Sequence, residues 1–144
     1  MPTPRDQLLQ RLRDCLSPKP EILEAYLFGS SARGEAAAHS DVDVAVYVDP
    51  SMLPDAPFGY AAGLLTEMMS ALGTNAVDLV VLNRASPLLY HRVLRDGIRI
   101  SSRDLAASTT REARALSRYF DYACQLRKID AAHRKRIERG AFGR

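Results

Sequence analysis

Leu27-Phe28-Gly29-Ser30-Ser31-Ala32-Arg33-Gly34 and, a short way on, Ser40-Asp41-Val42-Asp43-Val44-Ala45-Val46-Tyr47-Val48 form the stretch that decides the fold. Ile22 to Phe28 reads as a strand that breaks at Gly29-Ser30-Ser31 into a turn and a short helix. Ten residues, Ser31 to Ser40, separate Gly29-Ser30 from Asp41-Val42-Asp43. Asp41 to Val48 alternates as a second strand, with Val42, Val44, Val46 and Val48 on one face and Asp41, Asp43, Ala45 and Tyr47 on the other. A strand sets residues i and i+2 on one face, roughly 7 Å apart. Asp41 and Asp43 can therefore share one or two hard cations. Magnesium suits carboxylate oxygens combined with substrate phosphates. Two such ions, about 4 Å apart, clamp the attacking and the leaving oxygen of a displacement at phosphorus.

The residues around the carboxylates fit a triphosphate. Gly29 removes side-chain bulk where a phosphate must approach the backbone, and Ser30 adds a hydroxyl donor. The turn into a helix turns free N–H groups towards an anion. Arg33 is close enough in sequence to add positive charge there, or to pair with Glu35 or one of the carboxylates. Further on, Ala76 to Leu82 is an apolar run carrying a single charge, Asp78, and reads as a buried strand. A carboxylate in such a run is expensive without a partner. Beside Asp41–Val48 it would join the other two, where mutual repulsion raises carboxylate pKa values until a cation binds. Asp78 then becomes a third metal ligand and the general base for an attacking hydroxyl. Gly-Ser alone, or Asp-x-Asp alone, is common in solvated turns and strand ends. The ordered combination is far more specific.

Outward from this centre, Leu8, Leu9, Leu12, Cys15 and Leu16 mark an amphipathic helix over Arg5 to Leu16, stopped by Ser17-Pro18-Lys19-Pro20. Glu21 and Glu24 blur the start of the first strand. Asp49 to Pro57, with three prolines, is a loop. Phe58 to Leu72 is a helix ending at Gly73. Ser86-Pro87 caps another helix to Arg95, and Ile98 to Ser101 is a short strand. From Asp104 the pattern is helical nearly to the end, with Ala113, Leu116, Phe120, Ala123 and Leu126 or Arg127 recurring at steps of three or four, and Ile137 further along. Alternating helices and strands predict an α+β (α/β) mixed sheet layered by helices. We divide the chain into a core, 1–103, and a helical extension, 104–144, of the same domain and suited to partner contact.

A chain of 144 residues, 47% hydrophobic and 26% charged, fits one domain. No apolar run of about 18 residues spans a membrane, and the polar Met1 to Arg13 is unlike a secretion signal, so a cytoplasmic location is expected. Cys15 and Cys124 lack metal or disulfide spacing and are expected as small core residues on helices. The net charge of +3 suits a polyphosphate or an acidic partner and is too weak to argue for nucleic acid. His39 is expected as a solvated loop residue. His91 and His133 are too far apart to suggest a metal site. Tyr119 and Tyr122 are expected in the core, and Arg127 to Arg139 as a solvated helix face.

The two motif stretches, with Val77-Asp78-Leu79, resemble the DNA polymerase β-like nucleotidyltransferase superfamily, in particular its minimal branch, MNT. Arg118-Tyr119-Phe120-Asp121-Tyr122 and Gly140-Ala141-Phe142-Gly143-Arg144 resemble MntA-type antitoxins. The resemblance implies a small mixed sheet flanked by helices, with Asp41, Asp43 and Asp78 as catalytic and metal-binding carboxylates. It implies Gly29, Ser30, Ser31 and Arg33 at the nucleotide. Ser31 stands where the family often has a larger residue, commonly Arg. The implied activity is magnesium-dependent transfer of AMP from ATP to a tyrosine of a HEPN ribonuclease toxin, which silences the toxin. Two alternatives stay open: neutralisation by contact alone, through the C-terminal helix, and nucleotide transfer to a small molecule or RNA. About 40 residues after Ser102 hardly supply the extra substrate-binding domain that the last of these needs.

Overall fold

The computed structural model describes residues 3–33, 41–55 and 59–139. The elements are α1 (Pro4–Leu16), β1 (Ile22–Phe28), α2 (Ser30–Arg33), β2 (Val42–Val48), α3 (Tyr60–Leu72), β3 (Val77–Val81), α4 (Pro87–Asp96), β4 (Ile98–Ser102) and α5 (Leu105–Glu138). Pro50–Met52 and Leu82–Arg84 form single 3-10 turns. The alternation expected from the sequence is present, with boundaries within two residues for most elements. Thr3 and Asp6 cap α1 reciprocally. Gly73 closes α3 in the left-handed conformation at φ 69°, where a side chain would be strained. Ser86 accepts the Leu89 N–H at the start of α4.

The four strands run in the order β3-β2-β1-β4. β1 is antiparallel to both β2 and β4, while β2 and β3 are parallel, so the sheet is mixed. Strand alternation sends Val42, Val44, Val46 and Val48 to one face, where Leu9, Leu12 and Leu16 of α1 and Leu64 and Met68 of α3 cover them. Tyr26, Phe28 and Ala45 point to the other face, against Tyr90 and Val93 of α4 and Ala115 of α5. The sheet is thus a middle layer between two helical layers.

Glu24, the residue that blurred the start of β1, is fully buried. Arg111 of α5 donates to both its carboxylate oxygens, at 2.9 Å and 2.6 Å for the shortest contacts, and the Ser108 hydroxyl adds a third bond at 2.9 Å. Nearby, the Tyr26 hydroxyl and Arg99 both donate to Glu112. These polar ties fasten the first third of α5 to the sheet.

Three expectations need correction. Asp78 is exposed, because β3 is an edge strand with a neighbour on one side only. Cys124 is exposed on α5, and Tyr122 is also exposed, because α5 leaves the body of the protein before those positions. Cys15 is half-buried against the core, and Tyr119 is half-buried and stacked on His91 with ring centroids 3.6 Å apart. Residues Arg127 to Arg139 are exposed, as expected. His39, Glu35, Phe58 and the Gly140 to Arg144 stretch lie outside the described residues. No helix among the described residues is long and apolar enough to cross a membrane.

Candidate active site

Gly29 is the bend between β1 and the one-turn helix α2. Its φ is +75°, a left-handed conformation that L side chains avoid. The space beside it is already filled: a Cβ built there would meet the Asp43 Oδ2 at 2.3 Å. The bare backbone of Gly29 is thus what lets the Asp43 carboxylate lie against the turn. The sequence pointed to the same need for a missing side chain, but assigned the approaching group to a phosphate; in the chain itself it is a carboxylate.

Hydrogen bonds then fix this turn to β2. The Ser31 side chain is buried, and its hydroxyl donates to the Asp41 carbonyl at 3.3 Å. Arg33 N–H donates to the Gly29 carbonyl at 3.3 Å, closing α2. Arg5 of α1 reaches across to the Ala32 carbonyl at 3.0 Å. That brace escaped the sequence reading, because nothing in the local pattern around Arg5 marks a contact so distant along the chain. The Arg33 guanidinium lies 3.7 Å from the Asp96 carboxylate at the end of α4, a partner the sequence did not suggest.

The register of the sheet brings the carboxylates together. Asp43 sits opposite Phe28 on β1 and opposite Asp78 on β3. In a parallel pair, partners share a face, so Asp43 and Asp78 both face the α4 and α5 side. Val42 N–H donates to the Ala76 carbonyl at 2.8 Å and locks that register. Asp41 is exposed and immediately precedes β2. The Asp43 carboxyl is held above the usual carboxylate range, first by burial and then by the negative charges of Asp78 and Asp41.

Whether these residues suit a metal turns on their donor chemistry. They are all carboxylates, the donors that hard divalent cations prefer, and the like charges that disfavour ionisation of Asp43 are what a cation would relieve. Among the described residues no three His, Cys, Asp or Glu side chains are grouped so that together they could hold a metal ion, so Asp41, Asp43 and Asp78 do not form a ready three-ligand site. An open site of this kind suits magnesium, which typically takes one or two carboxylates and completes its shell with waters and substrate phosphates.

A mixed four-stranded sheet in which a Gly-Ser turn abuts a carboxylate-bearing strand is the arrangement of a nucleotidyl-transfer domain. The chain belongs to the polymerase beta nucleotidyltransferase family, whose model matches residues 10–106. The protein adenylyltransferase MntA of Aphanizomenon flos-aquae is 36% identical over 85 residues, 54% of this chain and 55% of that protein. The chain therefore matches about half the length of that curated relative. A toxin–antitoxin crystal structure with AMP-PNP is similar at TM-score 0.68 and 25% identity, over 90% of this chain and 98% of the matched one. A tri-AMPylated Shewanella oneidensis HEPN toxin in complex with MNT antitoxin gives TM-score 0.68 at 22% identity, over 89% of this chain and 97% of the matched one, a likeness of fold.

Proposed function

We propose that this chain is an antitoxin that transfers AMP from ATP to a tyrosine hydroxyl of a cognate HEPN ribonuclease toxin and so neutralises it. The observation that carries the reading is the seat of Asp43, pressed against Gly29 on one side and paired in register with Asp78 on the other. The names of the adenylyltransferase relative and of the AMP-PNP complex support the choice of nucleotide and the antitoxin role.

Asp41 and Asp43 would hold magnesium, with Asp78 as third carboxylate. When bound, the metal neutralises charge on the triphosphate and lowers the barrier to displacement at phosphorus. Gly29 and Ser30 lie at the terminal phosphates, the first by letting the Asp43 carboxylate rest against the turn and the second through its hydroxyl. Ser31 acts through its backbone, because its side chain is committed to Asp41, and Arg33 supplies positive charge beside α2. Asp78, exposed at the sheet edge, is accessible to an acceptor brought by another protein and takes the proton of the attacking hydroxyl. The acceptor oxygen bonds to the α-phosphorus, the bond from that phosphorus to the bridging oxygen breaks, and pyrophosphate leaves.

The test is incubation of the purified chain with its proposed cognate HEPN toxin and labelled ATP. Label on the toxin is expected with magnesium, and Asp43→Ala should reduce it by at least about a hundredfold. Neutralisation without label would overturn the enzymatic reading. One feature favours that second outcome, antitoxin action by contact: Phe120, Leu126, Ile129 and Ile137 of α5 are all exposed. In that case the Asp43 variant would still neutralise.

A further inference from the structure

A second concavity opens on the same sheet face as Asp43. Tyr47 lies four residues along β2 from it, about 13 Å by strand rise. Tyr47, Tyr90 of α4 and Arg111, Arg114, Ser117 and Arg118 of α5 line a pocket of about 500 Å³, within the range of small-molecule sites. The three arginines recur at steps of three and four, so one face of α5 presents all of them.

Their charges are not equivalent. Arg111 is committed to buried Glu24, and its guanidinium also lies 5.1 Å from the centre of the Tyr47 ring. Arg118 sits over the Tyr90 ring at 5.8 Å. Among the described residues neither Arg114 nor Arg118 has a carboxylate partner. The pocket therefore carries two uncompensated guanidinium groups, the side chains best shaped for a phosphate.

Tyr90 supplies a separate observation. It is 1% exposed, and its buried hydroxyl has no hydrogen-bond partner. An unpartnered buried hydroxyl lowers stability. That hydroxyl lies among the pocket's own residues: burial pushes its pKa up to about 12, with Glu24 and Tyr47 raising it and Arg111 and Arg118 opposing them. It is covered in the free protein, so a ligand atom would satisfy it once the flexible arginine side chains lining the pocket move aside. Arg111 covers one face of the Tyr47 ring, so a base would meet that ring at its remaining face or edge.

We propose that this pocket binds a nucleoside monophosphate, with Arg114 and Arg118 on the phosphate, Tyr47 against the base and the Tyr90 hydroxyl hydrogen-bonded to the ligand. The site goes beyond the transfer reading, because it needs neither the three carboxylates nor a divalent ion.

Titration calorimetry of the full chain with AMP in excess EDTA tests it, with inorganic phosphate and adenosine as separate arms. One saturable AMP site is expected, with phosphate and adenosine each at least about tenfold weaker. Arg114→Ala combined with Arg118→Ala should weaken AMP by about tenfold or more. Tyr90→Phe should weaken AMP about threefold or more, while leaving the melting temperature of the free chain unchanged or higher. Asp43→Asn should bind AMP like the parent, which separates this site from the transfer site. Absence of AMP binding, or phosphate binding as tightly as AMP, would overturn the proposal. So would retention of affinity in the double arginine variant, or its loss in Asp43→Asn.

Discussion

Gly29 and Asp43 work as one unit. A methyl group at position 29 would meet both a backbone at φ +75° and a carboxylate oxygen at 2.3 Å. The backbone part costs about 1–2 kcal/mol. The clash is with the tip of a flexible side chain, so the carboxylate swings aside and the fold survives. Gly29→Ala should therefore lower stability by about 1–2 kcal/mol in denaturant unfolding, yet reduce AMP transfer by about a hundredfold, because the displaced group is the one aligned for chemistry. Asp43 makes a second prediction through its raised pKa. Below the ordinary carboxylate range both folded and unfolded chains are protonated there, and the group is neutral to stability. As pH rises the unfolded chain ionises first, and stability falls until folded Asp43 ionises as well. At pH 7 Asp43→Asn should therefore melt higher than the parent without metal. Magnesium should raise the melting temperature of the parent more than that of the variant; scanning calorimetry with and without the ion reads both. The need for a bare residue at position 29 was legible in the sequence, because turn and strand flank it so clearly. Its contact with Asp43 was not, because sheet register decides which side chain fills the space.

At the scale of elements, β3 shows where sequence patterning stops. Ala76 to Leu82 is a short apolar run, and such a run looks the same whether it becomes a central or an edge strand. The order β3-β2-β1-β4 makes it an edge, so Asp78 is solvated and needs no buried partner. Its pairing with Asp43 was nonetheless foreseeable, since any strand laid beside β2 brings its own charge to the Asp-x-Asp pair. Glu24 is the opposite case. It looked like a polar flaw in a strand and is the most buried charge in the sheet, because Arg111, far along the chain, reaches it. Breaking such a pair from one side leaves an uncompensated buried charge, at a cost of about 3–5 kcal/mol. Arg111→Ala should show a loss of that size in urea unfolding, whereas Arg95→Ala, whose exposed pairing with Asp96 is a surface one, should change stability by less than about 1 kcal/mol. Near-equal effects would mean that Glu24 finds water or another donor.

The whole molecule has a body and an arm. Helix α5, 34 residues or about 51 Å long, is tied to the sheet by Ser108, Arg111, Glu112 and Ala115, keeps Tyr119 half-buried against His91, and then runs on with its side chains after Ala123 exposed. Phe120 is 57% and Ile129 64% exposed, and with Leu126 and Ile137 they leave apolar area uncovered on the arm. Exposed apolar groups interspersed with the basic residues between Arg127 and Arg139 suit an amphipathic helix laid against a partner. The sequence showed the helix but not its detachment, since a three-four apolar rhythm is the same on a core helix and on an interface helix. Because the described residues after Ala123 lie outside the core, deletion of 128–144 should leave the melting temperature within a few degrees of the parent. The same deletion removes Ile129 and Ile137 and should weaken binding to the proposed HEPN partner by about a hundredfold or more, as loss of aliphatic anchors at an interface does. Binding measured by surface plasmon resonance, beside a melting curve of each chain, decides between arm and core. A large drop in melting temperature would make the arm part of the fold. Unchanged affinity would place the toxin on the body, near the sheet edge that carries Asp78.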